Sequence, residues 1–184
     1  MIDKQLKSEN SNQHIILLGY MGCGKSTIGR LLAKKLKIPF VDMDNFLSET
    51  HGCSVPTLFK KHGEIGFRKL EKIALKDLLA STQVSVLSLG GGTPCYADNM
   101  QSVIQSTPHT FYLSPTISIL CDRLYFEKDN RPIISHLATE DELQDFIAKH
   151  IFERKQFYEQ ANHHLYLRYE KPQELVNQII KKLG

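Results

Sequence analysis

The sequence predicts an α/β domain in which a parallel β-sheet carries helices on both faces. Short apolar runs alternate with stretches of helical periodicity along the chain, and no internal repeat or low-complexity tract interrupts them. The chain has 184 residues, the size of a single domain at ~100–200 residues each. A chain this long buries an ordinary core without help from metal or disulfides.

Each element follows in order. Residues 1–13 form a polar tail that lacks the apolar run of a secretory signal. His14 to Gly19 (HIILLG) is a short apolar run ending in glycine and reads as a buried strand. From Lys25 to Lys37, Ile28, Leu31, Leu32 and Leu36 recur at helical spacing with lysines on the other face. Pro39 ends that helix, and Phe40-Val41 begins a second strand running into Asp42-Met43-Asp44. Helical patterns follow at 45–51 and 55–61. A longer one runs from Glu64 to Ala80, with Phe67, Leu70, Ile73, Ala74 and Leu78 on its apolar face. Val84 to Leu89 is the third strand and stops at Gly90-Gly91-Gly92. A helix near 97–106 and a strand at His109–Leu113 come next. Ser114-Pro115 has the form of an N-cap and first helical residue, opening a helix toward Tyr125. Periodicity fails from Phe126 to Ala138, and long irregular segments of this kind are often lids. Thr139 and Glu142 have capping-box spacing at the head of a helix running to about Ala161. His164 to Arg168 is the last strand, and Pro172 starts a final helix with Leu175, Val176, Ile179 and Ile180 inward.

Charge and cysteine content narrow the function. The 23 Lys and Arg against 20 Asp and Glu leave a formal charge of +3. That is too mild for a nucleic-acid coat or a membrane-surface protein, so an anionic ligand must be met by a few placed cations. Cys23, Cys53, Cys95 and Cys121 are widely spaced with no C-x-x-C pair. This fits reduced thiols in the cytoplasm rather than a zinc knuckle or a disulfide framework. The apolar runs are too short to span a bilayer. A cytoplasmic protein with neither membrane nor nucleic-acid partners is therefore expected.

Gly19-Tyr20-Met21-Gly22-Cys23-Gly24-Lys25-Ser26 satisfies G-x-x-x-x-G-K-[ST] between a strand and a helix, the context such a loop requires. Glycines allow a tight turn whose N–H groups face inward, and the helix adds unpaired amides and its positive dipole end. Gly22, Cys23, Gly24, Lys25, Ser26 and Thr27 are thus expected to cradle the phosphates of a nucleotide. Lys25 would bridge the β- and γ-phosphates and Ser26 would ligate Mg²⁺, while the Cys23 side chain has no assigned role. A switch GTPase would also need D-x-x-G and N-K-x-D elements, and neither is present. A small-molecule or nucleotide kinase remains.

The acceptor side is less specific. Asp42 and Asp44 end the second strand, the edge where open α/β sheets bind ligands, and in an extended segment their side chains leave one face. One carboxylate could hold the metal through water and the other accept a proton from an alcohol; a solvated strand-end turn is the plainer reading. Arg68 and Glu71 form an i, i+3 pair, either surface decoration or a guanidinium fork oriented toward a carboxylate. Gly90-Gly91-Gly92 is either a flexible turn or a close approach of backbone to ligand. Arg131 is either solvated or a lid arginine closing on the transferred phosphoryl group. Arg154 is either on the surface or a second carboxylate clamp, and Phe59 is either a core aromatic or the floor of the acceptor pocket.

As an ordered set, the loop from Gly19 to Thr27, Asp42-Met-Asp44, Gly63 to Glu71 (GEIGFRKLE), Leu89-Gly-Gly-Gly92 and Asn130-Arg131-Pro132 resembles shikimate kinase. The likeness runs from about residue 14 to 170. It implies a P-loop NTPase fold of the nucleoside monophosphate kinase type, with a five-stranded parallel sheet and a mobile lid at about 123–138. It implies transfer of the ATP γ-phosphoryl to the 3-hydroxyl of shikimate, with Mg²⁺, by a monomer. Lys25 would contact the phosphates, Ser26 and Asp42 would serve the metal, and Asp44 would bind the shikimate hydroxyls as the base. Arg68, Arg154, Phe59 and Gly90 to Gly92 would hold the substrate, with Glu71 orienting Arg68. Arg131 would be the lid arginine, and Arg123 the adenine-side arginine if one residue is inserted between them. Ile133-Ile134 stand where the family often has leucines. Other classes weighed are a gluconate-type kinase, a nucleoside monophosphate kinase and a catalytically silent nucleotide-binding module.

Overall fold

The computed structural model describes residues 13–128, 131, 133–168 and 170–184. The tail before Gln13, together with Asn130 and Pro132 of the expected lid motif, lies outside the described residues. The strands are β1 (Ile15–Leu18), β2 (Phe40–Asp42), β3 (Val86–Ser88), β4 (Thr110–Pro115) and β5 (His163–Leu167). They form one parallel sheet of five strands in the order β2-β3-β1-β4-β5. The helices are α1 (Lys25–Leu36), α2 (Met43–His51), α3 (Val55–Leu79), α4 (Asn99–Ser106), α5 (Ile117–Tyr125), α6 (Glu140–Tyr158) and α7 (Pro172–Leu183).

The central strand shows why the sheet needs two covers. Ile15 and Leu17 point into one core with Ile28 and Leu32 of α1, Leu143 and Ile147 of α6 and Val176 and Ile179 of α7. Ile16 and Leu18 point into a second core with Met43 and Leu47 of α2, Phe67 and Leu75 of α3 and Val103 of α4. All four strand residues are buried, so successive side chains feed opposite layers at the period of two that a strand imposes. Gly29 sets the spacing on the α1 side. A Cβ there would lie 2.4 Å from the Phe40 ring and 3.3 Å from Leu17, so a bare position lets the helix lie close to the sheet.

Several local expectations are corrected. Ser114-Pro115 does not start α5. Pro115 is the last residue of β4, in register with Leu167, and Thr116 is the cap, its hydroxyl accepting from Ile119 N. Ile73 is not inward: it is 59% exposed, because the buried face of α3 runs through Phe67, Glu71, Ala74, Leu75 and Leu78 and Ile73 falls to one side of it. Gly63 breaks the helix with φ 64° and ψ 180°. That break separates the two expected helices, at 55–61 and from 64. The chain leaves α1 at Lys37, in the left-handed region, two residues before Pro39. The capping box at Thr139 forms: its hydroxyl accepts from Glu142 N at 3.2 Å, and the Glu142 carboxylate accepts from Thr139 N at 3.2 Å.

Replacing Gly29 by Val should lower the unfolding free energy by about 1–3 kcal/mol through overpacking against Phe40 and Leu17. Urea denaturation reads this directly, and an unchanged midpoint would show that the helix has room to spare.

Candidate active site

Parallel strands end at one edge of the sheet, and the loops leaving β1, β2 and β3 meet there. The loop after β1 turns through Gly19 (φ 139°), Gly22 (φ 77°) and Gly24 (φ 99°), conformations that side chains rarely adopt. At Gly19 a Cβ would also stand 2.6 Å from the Leu113 carbonyl of β4. Gly24 precedes α1 without a capping side chain, and the first turn of α1 has no acidic residue. The helix therefore offers bare amides and an undiminished positive end to an anion. Lys25 Nζ donates to Gly19 O at 2.9 Å and Tyr20 O at 3.0 Å, and it lies 3.6 Å from Cys23 Sγ. The loop thus cradles its own lysine.

Asp42 sits at the end of β2 and faces α1. It accepts from Ser26 Oγ at 2.7 Å through one oxygen and from Asp44 N at 3.2 Å through the other. Asp42 is therefore the N-cap of α2, and Asp44 lies in that helix's first turn rather than in an extended strand. The expected shared strand face is corrected: the two carboxylates come together through the cap, which turns the chain into the cleft. Ser26 and Asp42 place hard oxygen ligands side by side, a donor set suited to Mg²⁺.

Two cavities open at this edge. One of about 550 Å³ is lined by Gly22 to Thr27, Asp42, Asp44, Arg123 and Arg131. The other, of about 290 Å³, is lined by Phe59, Arg68, Glu71, Gly90, Gly91, Gly92 and Arg154 together with Ile133 and His150. Met21, Asp44, Gly90, Gly91 and Arg131 belong to both, so Asp44 and Arg131 stand where the cavities join. Arg123 Nη1 donates to Gly22 O at 3.1 Å on the rim of the larger cavity. Arg131 donates through Nε and Nη2 to Glu127, at 3.0 and 2.5 Å.

The smaller cavity is built on Glu71, which is 1% exposed. Its carboxylate pairs with Arg68 Nη1 and accepts from Thr93 Oγ1 at 2.7 Å. A buried carboxylate with both oxygens engaged fixes the guanidinium far better than an exposed pair would. Phe59 packs on Phe67, with ring centroids 4.2 Å apart, and both rings lie within 6 Å of the Arg68 guanidinium. The three glycines are bare for three different neighbours. A Cβ on Gly90 would meet Glu71 and Thr93 at 2.8 Å, one on Gly91 would meet Met21 N at 3.2 Å, and one on Gly92 would meet Arg68 at 2.5 Å. Arg154 lies over the Tyr20 ring, 5.6 Å from its centroid. Tyr158 OH donates to Gly91 O at 2.5 Å and holds the loop from behind.

Crowding in the cleft raises the Asp44 carboxyl from its ordinary 3.8 to about 6. Desolvation by the surrounding protein is the main cause. Asp42 and Glu71 add to it, while Lys25 and Arg68 oppose it. Asp44 still meets solvent on its open side, so water screens part of the shift.

Sequence reasoning did not find Tyr20, His150 or Thr93 at this site. The only local signal for His150 is its place one helical turn before Arg154, which puts the two on one face of α6. Among the described residues, no helix is long and apolar enough to cross a membrane.

The shikimate kinase family model matches residues 21–184. A shikimate kinase from Flavobacterium psychrophilum is 40% identical over 169 residues, covering 92% of this chain and 98% of that one. Among solved structures, a shikimate kinase from Bacteroides thetaiotaomicron superposes with TM-score 0.82 at 36% identity, covering 93% of this chain and 96% of that one. One from Acinetobacter baumannii, in complex with shikimate, gives 0.83 at 30% identity over 95% and 94%. A P-loop beside an arginine-lined cavity, matched along nearly the whole chain by proteins of this kind, places the chain in the shikimate kinase family.

Proposed function

We propose that the two joined cavities carry out the family's reaction, transfer of the ATP γ-phosphoryl to the 3-hydroxyl of shikimate, in a single P-loop kinase domain spanning 14–184. The observation that supports this most is the position of Asp44 and Arg131, shared between a phosphate cradle and an arginine-lined pocket. In this reading the amides from Gly22 to Thr27 hold the ATP phosphates. Lys25 exchanges its hold on Gly19 O and Tyr20 O for the β- and γ-oxygens. Mg²⁺ would be held by Ser26 directly and by Asp42 through water, where it neutralises phosphate charge. Arg68, held by Glu71, and Arg154 clamp the shikimate carboxylate. Phe59 backs the ring, and the loop from Gly90 to Gly92 closes the pocket with its amides. Asp44 aligns the attacking hydroxyl and takes its proton. The segment 123–138 acts as the lid, with Arg131 leaving Glu127 to stabilise charge on the transferred group and Arg123 near the adenine. Catalysis is by positioning and electrostatics, with no covalent enzyme intermediate and no second subunit. A soluble, cytoplasmic monomer fits this chemistry. A gluconate-type kinase is not favoured, since family membership rests on shikimate kinases.

Release of ADP, followed with shikimate, gluconate, CMP and UMP offered in turn, should occur with shikimate alone; turnover confined to gluconate would overturn this reading. Asp44→Asn should lower kcat by roughly 10²–10⁴-fold with ATP affinity nearly unchanged. Near wild-type turnover in that variant would remove Asp44 from the chemistry.

The pH dependence has a definite sign. A base must be ionised, so wild-type activity should rise with pH through about 6, where Asp44 titrates. The same raised value favours folding only while the group is protonated. Its contribution to stability should therefore decline between the ordinary 3.8 and about 6, a slope that Asp44→Asn removes. Gly92→Ala should displace the Arg68 fork and raise the shikimate KM about tenfold or more, with the ATP KM little changed. An unaltered shikimate KM would show that Arg68 does not hold the acceptor.

A further inference from the structure

Tyr20 and His150 join the phosphate loop to the wall of the smaller cavity. The Tyr20 hydroxyl and His150 Nδ1 share a hydrogen bond at 3.2 Å, across 130 positions of sequence. Burial holds the phenol up to about 12, so it keeps its proton and is the donor wherever the imidazole carries its own proton on Nε2. Phe146, one turn before His150 on α6, packs on the imidazole with ring centroids 4.1 Å apart. His150 and Arg154 both line the smaller cavity, and Arg154 lies over the Tyr20 ring. The Tyr20 carbonyl meanwhile accepts from Lys25 Nζ at 3.0 Å. Tyr20 therefore touches the donor-side lysine with its backbone and the acceptor-side arginine with its ring, and His150 is the partner that anchors the ring's far end.

We propose that His150 is a positioning residue: by holding the Tyr20 hydroxyl, it sets Arg154 at a fixed offset from the phosphate loop, and so fixes the acceptor carboxylate relative to the phosphoryl donor. The inference rests on the shikimate reading above. The charged and titratable groups facing the imidazole are Arg154, Lys149 and Glu153 on α6, Glu64 from α3 and Tyr20 from the loop. Arg68 and Arg131 share the cavity. Burial first, then Arg154, keep the imidazole below its ordinary value, so the ring is neutral at neutral pH and its Nε2–H tautomer accepts the hydroxyl. Protonation would remove that acceptor and set a second cation beside Arg154.

Steady-state kinetics on the full chain tests this with His150→Leu, Tyr20→Phe, their double variant and His150→Asn. Each of the first two should raise the shikimate KM about five- to tenfold, the effect of one lost, partly buried hydrogen bond, while kcat falls less and the ATP KM moves by under about twofold. The double variant should be no worse than either single, because both remove the same link. His150→Asn offers an amide oxygen as acceptor and should recover most of the affinity. The wild-type shikimate KM should also rise on acidification below the ordinary imidazole range, a rise that His150→Leu flattens. If the Leu variant fails to fold, Tyr20→Phe, which deletes one oxygen and keeps the ring under Arg154, decides the matter. Wild-type turnover of shikimate with an unchanged KM in Tyr20→Phe, or additive effects in the double variant, would overturn the link. Absence of shikimate turnover in the wild type would instead overturn the functional reading beneath it.

Discussion

Three neighbouring parallel strands end at one edge, and the chemistry depends on how closely their loops approach there. The loop after β3 runs against the loop after β1, so closely that a Cβ on Gly91 would stand 3.2 Å from Met21 N. That contact seats the smaller cavity directly against the phosphate cradle. Asp42 and Asp44, brought in from β2 by the α2 cap, close the third side. A sheet order in which β1 and β3 were not paired would separate the two cavities, whatever residues lined them.

Charge is arranged with the same economy. Lys25, Arg68, Arg123, Arg131 and Arg154 surround the joined cavities, which answers the mild overall charge of +3: the cations are concentrated where two anionic substrates would meet. Lys25, Arg68, Arg123 and Arg131 are each held by an acceptor that a ligand can replace or leave in place. Lys25 rests on two carbonyls that phosphate oxygens can replace, and Arg131 on an exposed carboxylate, a weak hold suited to release. Arg68 rests on the buried Glu71, a hold suited to staying put. The difference in burial of the two carboxylates separates Arg131, which would move during turnover, from Arg68, which would not.

The sheet strands, the phosphate loop and most helices were legible in the sequence because their signals are local: apolar periodicity, eight residues in pattern, and a capping box. Asp42 and Asp44 were legible as residues but not as geometry, because an Asp after a short strand can cap a helix as readily as extend the strand. Arg68 and Glu71 were ambiguous for a different reason. What makes the pair a clamp is the burial of Glu71 and the contributions of Thr93 and Gly92, which lie about twenty residues on. Ile73 was misplaced because the inward face of α3 includes a charged residue, Glu71, and a count of apolar positions alone turns the face toward Ile73. The Tyr20–His150 bond had no pattern to reveal it, since only the fold brings α6 to the phosphate loop.

A crystal structure with shikimate and a non-hydrolysable ATP analogue is the most direct measurement of how the two cavities work together. The ring should lie in the smaller cavity with its carboxylate on Arg68 and Arg154 and its 3-hydroxyl within hydrogen-bond distance of Asp44, pointing at the γ-phosphate held by Lys25. A ring bound with its carboxylate turned away from both arginines, or with Asp44 out of reach of any hydroxyl, would contradict it.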